Sequence, residues 1–231
     1  MTIELASAVL LIVVPIAFNL AFFELGRTFD YPNILRQPAD VILRRFHAGG
    51  VPLLLRWQAL LLSAVAMLPL VALASVAIGA GQGPTAAAVV IGSAAAVVQV
   101  LGLSRWPFAV PELARRYVAA DGADGPATRQ TIEVVFAALH RFLGVGIGEH
   151  LGYLLTGLWT IIVAFSIISA NSMSPWLGWI GLPIGGALLV GSLEFVGPNE
   201  KAGWLLAGTI VPITYIAWSL WLVALGIDLV V

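Results

Sequence analysis

Ionisable residues are scarce in this chain, and those that could do chemistry stand at the edges of long apolar runs: Glu24 and Arg27, Arg56, Glu149 and His150, and Glu194. Beside lipid an unpaired charge is costly, so such residues either pair around a pocket or extend to the water boundary. Extension to water accounts for Arg27 and Glu194. For Arg56, Glu149 and His150 both readings stand, a polar pocket or solvated helix ends. Glu149, Tyr153, Thr156 and Thr160 recur at helical spacing and make one polar face. That face either lines a cavity or bonds neighbouring helices. The candidate ligand-binding set is therefore Arg56, Glu149, His150, Tyr153, Thr156 and Glu24. Arg56 and Glu149 are expected to approach one another, with Glu24 as the competing partner for Arg56.

Other chemistries find little support. Cysteine is absent, which removes disulfides, thiolate nucleophiles and cysteine-ligated zinc or iron–sulfur clusters. His47 and His140 fall on the polar sides of amphipathic segments, and His150 adjoins Glu149, whereas adjacent helical residues do not face one site. No His-Glu-x-x-His pattern occurs, so the expectation is no metal and no cofactor. Gly144, Gly146 and Gly148 alternate just before Glu149 but neither follow a strand nor precede Lys-Ser or Lys-Thr, so they are no phosphate loop. They read as a hinge, with the backbone free to approach a neighbour closely. A net charge of −1 excludes the basic stripe that nucleic acid requires.

The elements that must carry these residues follow from composition. Hydrophobic residues make up 60% of 231 positions and charged residues 10%, so lipid must solvate much of the surface. Six stretches are long and apolar enough to cross a hydrocarbon core as helices: Leu5–Phe23, Pro52–Ile78, Thr85–Leu103, Glu149–Ala170, Pro175–Val196 and Ala202–Leu225. The first lacks a basic leader and reads as a retained span. The expected fold is an all-α integral membrane bundle of six transmembrane helices in one domain.

All eleven Lys and Arg fall in or beside the odd-numbered connections, whereas the second and fourth connections carry no charge. The positive-inside rule places the basic loops in the cytoplasm and both termini outside. Thr128 to Leu143 spaces its apolar residues on one face and predicts an amphipathic surface helix, with Phe136 and Leu139 toward lipid and His140 toward water. A shorter one spans Asp40 to His47. Trp57, Trp106 and Trp204 fall near the cytoplasmic interface, and Trp176, Trp179, Trp218 and Trp221 near the outer one, depths that indoles favour. Residues 42–48 and 113–119 echo one another, which reads as two ordinary juxtamembrane basic clusters or, alternatively, as a duplicated two-span unit. Gly92, Ala95, Gln99 and Gly102, then Gly178, Gly181 and Gly185, then Gly208, Pro212, Tyr215 and Ser219 form faces suited to close helix packing.

Two stretches carry a resemblance. One runs from Tyr31-Pro32-Asn33-Ile34-Leu35-Arg36 through Arg44 to Gly50. The other runs Leu143 to Tyr153 and continues Thr156-Gly157-Leu158-Trp159. With Gly191 to Phe195 and Pro212 to Trp218, they resemble a bacterial multi-pass membrane family of the domain of unknown function 4386 type. The resemblance implies a six-helix fold in a bacterial inner membrane and supplies no activity or catalytic residue.

The leading functional expectation is a non-enzymatic membrane protein that binds or moves a small or lipidic ligand through a cytoplasm-facing polar pocket. The alternatives are a membrane enzyme using Glu149 and His150 as acid and base, and a scaffold or regulator. The bilayer is the expected partner.

Overall fold

The structure, a computed structural model, describes residues 2–170 and 173–231, apart from the side chain of Lys201. The uncharged connection around 171–174 is thus seen only from Met173. Helix α1 spans Ile3–Phe29, α2 Ala39–Ile78, α3 Gln82–Phe108, α4 Val110–Ala119 and α5 Gly125–Leu139. A π-helix, His140–Leu151, joins α5 to α6, Gly152–Ala170, without a break. Helix α7 follows at Pro175–Ser192, a four-residue α8 at Asn199–Ala202 and α9 at Leu205–Asp228. Among the described residues there is no strand, as expected where backbone polar groups must be satisfied inside each segment. Six helices are long and apolar enough to cross a membrane, and the chain is an all-α, multi-pass membrane protein.

The six form a ring. Helix α1 packs on α2, α2 on α3, α3 on α6, α6 on α7, α7 on α9, and α9 closes on α1. Apolar side chains such as Val13, Leu20, Leu62, Val90, Phe165 and Ile216 stay exposed around the outside, where lipid would meet them. Lipid tails are as apolar as leucine, so close packing and interhelical hydrogen bonds must hold the ring. The small-residue faces serve this end. An added Cβ at Gly185 would lie 2.8 Å from the Gly157 carbonyl, and one at Gly102 would lie 2.5 Å from the Gly148 Cα.

The interior divides into two cores. One, toward the chain termini, joins Trp159, Trp218 and Trp221 with Leu11, Leu70, Ile167, Leu177 and Leu188. Each of its indoles is satisfied. Trp159 Nε1 donates to Ser75 Oγ at 3.4 Å, Trp218 Nε1 to Thr160 Oγ1 at 2.9 Å and Trp221 Nε1 to the Leu177 carbonyl at 2.8 Å. The other core lies at the end bearing the basic residues and gathers Phe29, Ile34, Phe46, Trp57, Trp106, Tyr117 and Phe136.

That second core corrects several expectations. Trp57 and Trp106 lie in the core at the basic end and face the protein interior, not lipid. Both are fully buried and stack at 4.3 Å with planes 8° apart. The amphipathic segment forms as α5, but its apolar face turns into the bundle. Phe136 is buried 6.4 Å from the Trp106 ring, because Trp106 of α3 and His140 offer ring partners that lipid does not. His140, expected in water, stacks on Phe136 and lies beside Arg105. Gly144, Gly146 and Gly148 make no hinge, since the helix runs through them in the wider π geometry. The backbone break falls instead at Gly50, whose φ of +53° separates the surface arm of α2 from its span.

Candidate functional site

The π-helix is held against α3 by two glycines, Gly102 and Gly148, so close that no side chain fits between them. One turn further along α3, Arg105 runs beneath Gly144, its guanidinium 2.5 Å from where a Cβ would stand. Arg105 is 5% exposed. Its Nη1 donates to the Gly102 carbonyl, its Nη2 lies 3.5 Å from His140 Nδ1, and its guanidinium sits 5.3 Å from the Trp106 ring. Its Nε has no hydrogen-bond partner among the described residues.

Glu149 follows Gly148 directly and is half-buried. Among the described residues its carboxylate makes no hydrogen bond and no ion pair within 4.0 Å. Arg105 is the cation whose field acts on it most, ahead of Arg36, with Glu194 and Glu200 as the opposing anions. Arg105 therefore compensates Glu149 across a gap without contacting it.

Three tyrosines share this region. Tyr153 lies one turn beyond Glu149, 5.2 Å from the Tyr215 ring on α9 and 5.3 Å from Phe195. Tyr31 arrives from the connection after α1. There Asp30 takes a left-handed conformation and donates back to the Gly26 carbonyl, a helix-ending turn that folds the next residue inward. Tyr31 then packs 4.9 Å from Phe22 and 5.1 Å from Trp57. Burial pushes its phenol above the ordinary range, Glu149 adds to the rise and Arg105 opposes it, so the hydroxyl stays a hydrogen-bond donor at any physiological pH. None of the three hydroxyls has a hydrogen-bond partner among the described residues.

The polar lining continues inward. Gln99 Nε2 donates to Thr156 Oγ1 at 3.1 Å, and Thr160 Oγ1 donates to the Thr156 carbonyl at 2.8 Å. Gln99 and Tyr215 border a cavity of about 10 Å³ with Phe18, Met67, Trp218 and Ser219, room for roughly one water molecule. Trp159 packs against Trp218 behind it, 6.3 Å between ring centres. At the other end, the Asn33–Arg36 turn straps across the bundle. Its Ile34 is fully buried, and Arg36 Nη2 meets Glu194 Oε1 at 2.6 Å. Glu194 also accepts the Trp204 backbone N–H at 3.2 Å, and Arg141 pairs with Glu200 at 3.2 Å.

Over residues 6–226 the sequence matches the family described as a domain of unknown function, DUF4386. The chain belongs to that family. No curated protein and no solved structure matches it. Of the six candidate residues of this DUF4386 member, Glu149, Tyr153 and Thr156 fall along one polar path. The expected approach of Arg56 to Glu149 is not made. Arg56 Nε lies 3.5 Å from Glu24 Oε2, and both side chains are partly exposed beside the second core. His150 turns away to α7, its Nδ1 2.9 Å from the Ser192 carbonyl. Glu194, expected to extend to water, is 6% exposed and ion-paired, because the strap folds over it. Arg105, Tyr31 and Tyr215 were not among the candidates. Arg105 reads in sequence as one more basic residue beside a span. The signal that marks it is Gly102 three residues earlier, facing the glycines of the π-helix. Among the described residues no three His, Asp or Glu side chains gather as metal ligands.

Proposed function

We propose that this protein sits in a bacterial cell membrane with both termini outside the cytoplasm, and binds or moves a small ligand through a pocket that opens to the cytoplasm. The observation that carries the reading is Glu149. A half-buried carboxylate that has no hydrogen bond or ion pair among the described residues, one turn from the equally unpartnered Tyr153 hydroxyl, is unfavourable beside lipid unless something else completes it. The polar path from Arg36 and Glu194 through Glu149 to Gln99 supports an approach from the basic end. The hydrogen-bonded tryptophans support closure at the other. Among the described residues no hydrogen bond joins His150 to Glu149, and the His150 Nδ1 is engaged with the Ser192 carbonyl.

Orientation comes from the one-sided placement of the basic residues. A reporter active only in the cytoplasm, fused at the C-terminus, should stay silent, whereas one fused at residue 81, between α2 and α3, should also be silent and one at residue 122 active. Activity at the C-terminus would overturn the orientation.

The pocket is tested by chemical access. Without native cysteines, Tyr153→Cys carries the single thiol of the chain. A membrane-impermeant thiol reagent should modify it in inside-out vesicles and not in right-side-out ones. Arg36→Gln, which removes the ion pair over the mouth, should speed the modification several-fold. A thiol that stays inert with Arg36→Gln present, or reacts faster from outside, would defeat the reading.

A further inference from the structure

Six aromatic rings from four parts of the chain form an unbroken arc through the bundle. Phe195 meets Tyr153 at 5.3 Å, Tyr153 meets Tyr215 at 5.2 Å, Tyr215 meets Phe18 at 6.5 Å, Phe18 meets Phe22 at 6.3 Å and Phe22 meets Tyr31 at 4.9 Å. These contacts bring together the connection after α7, α6, α9, and α1 with the strap that follows it. The three tyrosines of the arc are half-buried, so neighbouring side chains do not use up their ring surfaces. Glu149 stands one helical turn before Tyr153, which sets its carboxylate at the Tyr153–Tyr215 part of the arc. Arg105 leaves that carboxylate uncontacted, because its own guanidinium is engaged with the Gly102 carbonyl and the Trp106 face.

Aromatic faces carry negative electrostatic potential and attract a cation that sheds its water. Several faces around one carboxylate are the recognition chemistry of an ammonium group. A carboxylate-bearing ligand would meet the charge of Glu149 with its own, and a neutral apolar ligand would leave the carboxylate and the phenols unsatisfied. We infer that the ligand is an organic ammonium cation, its charged group seated against Glu149 and walled by Tyr153 and Tyr215. The inference rests on the proposed pocket. The ammonium belongs either to a free small molecule or to a lipid headgroup, and the recognition chemistry is the same for both.

The test uses the full chain in nanodiscs of phosphatidylglycerol, titrated with methylammonium, choline and 3,3-dimethyl-1-butanol, the uncharged counterpart of choline, while heat of binding is followed. Saturable binding of methylammonium or choline is expected, with none of the alcohol. Glu149→Gln should weaken binding at least about tenfold, as loss of a charged partner does. Tyr215→Leu should weaken it roughly two- to thirtyfold, whereas Tyr215→Phe keeps the ring and should retain it. This second pair of variants stands in if Glu149→Gln does not fold. In nanodiscs containing phosphatidylethanolamine, weaker apparent choline binding would identify the lipid headgroup as the source, and unchanged binding a free ammonium compound. Equal binding of choline and its uncharged counterpart, full binding by both Glu149→Gln and Tyr215→Leu, or no binding of either ammonium probe would overturn the inference. If the thiol introduced by Tyr153→Cys remains reactive from the cytoplasmic face while the ammonium probes fail, the pocket stands and only its ligand class is lost.

Discussion

Arg105→Met should destabilise the protein by about 1–3 kcal/mol, the usual cost of leaving a buried polar group without its partner. The guanidinium is 5% exposed and is the strongest cation acting on Glu149, so its loss leaves a half-buried carboxylate uncompensated. The Gly102 carbonyl loses its donor as well. Glu149→Gln alone leaves the opposite excess, an arginine buried without an anion. The double variant removes both charges, and its loss should fall well short of the sum of the two. Arg56→Met provides the contrast. Its partner Glu24 is partly exposed and water screens the pair, so the cost should stay below about 1 kcal/mol. Unfolding by SDS in mixed micelles measures all four variants. Strictly additive losses would mean that Arg105 and Glu149 do not sense one another.

Gly102→Ala should be nearly as damaging although it adds a single methyl group. That methyl would lie 2.5 Å from the Gly148 Cα and 3.0 Å from the Leu143 carbonyl. Both are backbone atoms of the π-helix and cannot rotate aside, so α3 and the π-helix must separate. Overpacking of this kind costs about 1–3 kcal/mol where side chains can yield, and here the upper end or beyond is expected. Gly146→Ala, two residues before Gly148, should be neutral within about 0.5 kcal/mol, since the nearest atom to its added methyl is 3.5 Å away and alanine favours helix. Melting temperature in detergent separates the two. A Gly102→Ala protein as stable as its Gly146→Ala counterpart would show that the two backbones are not in contact.

The spans were legible because lipid imposes a length and a composition that apolar runs reveal directly. The bundle's small-residue faces were legible for a related reason: Gly178, Gly181 and Gly185 recur on one helical face, and such spacing has few uses in a membrane. The site was legible only along one helix. Glu149, Tyr153 and Thr156 share a face that periodicity exposes. Their partners come from elsewhere in the chain, and nothing local ties Tyr31 or Tyr215 to them. Arg105 was hidden by its neighbours. Ser104, Trp106 and Pro107 look like the flank of a span, and only the tertiary approach of Gly102 to Gly148 draws the arginine inside. The inward turn of Phe136 was hidden likewise, because an amphipathic helix has the same sequence pattern whether its apolar face meets lipid or protein.

The unequal halves of the interior bear on how the protein meets the membrane voltage. The proposed pocket, by admitting water from the basic end toward Tyr215, would carry the potential of that compartment inward with it. The voltage would then drop mainly across the layer that holds Trp159, Trp218 and Trp221, which is thinner than the whole bilayer and would carry a steeper field. The proposed cation, reaching Glu149 by that route, would cross little of the voltage, so its loading should hardly depend on membrane potential. Passage through that layer would feel nearly all of it, about 2.3 kcal/mol per charge for each 100 mV.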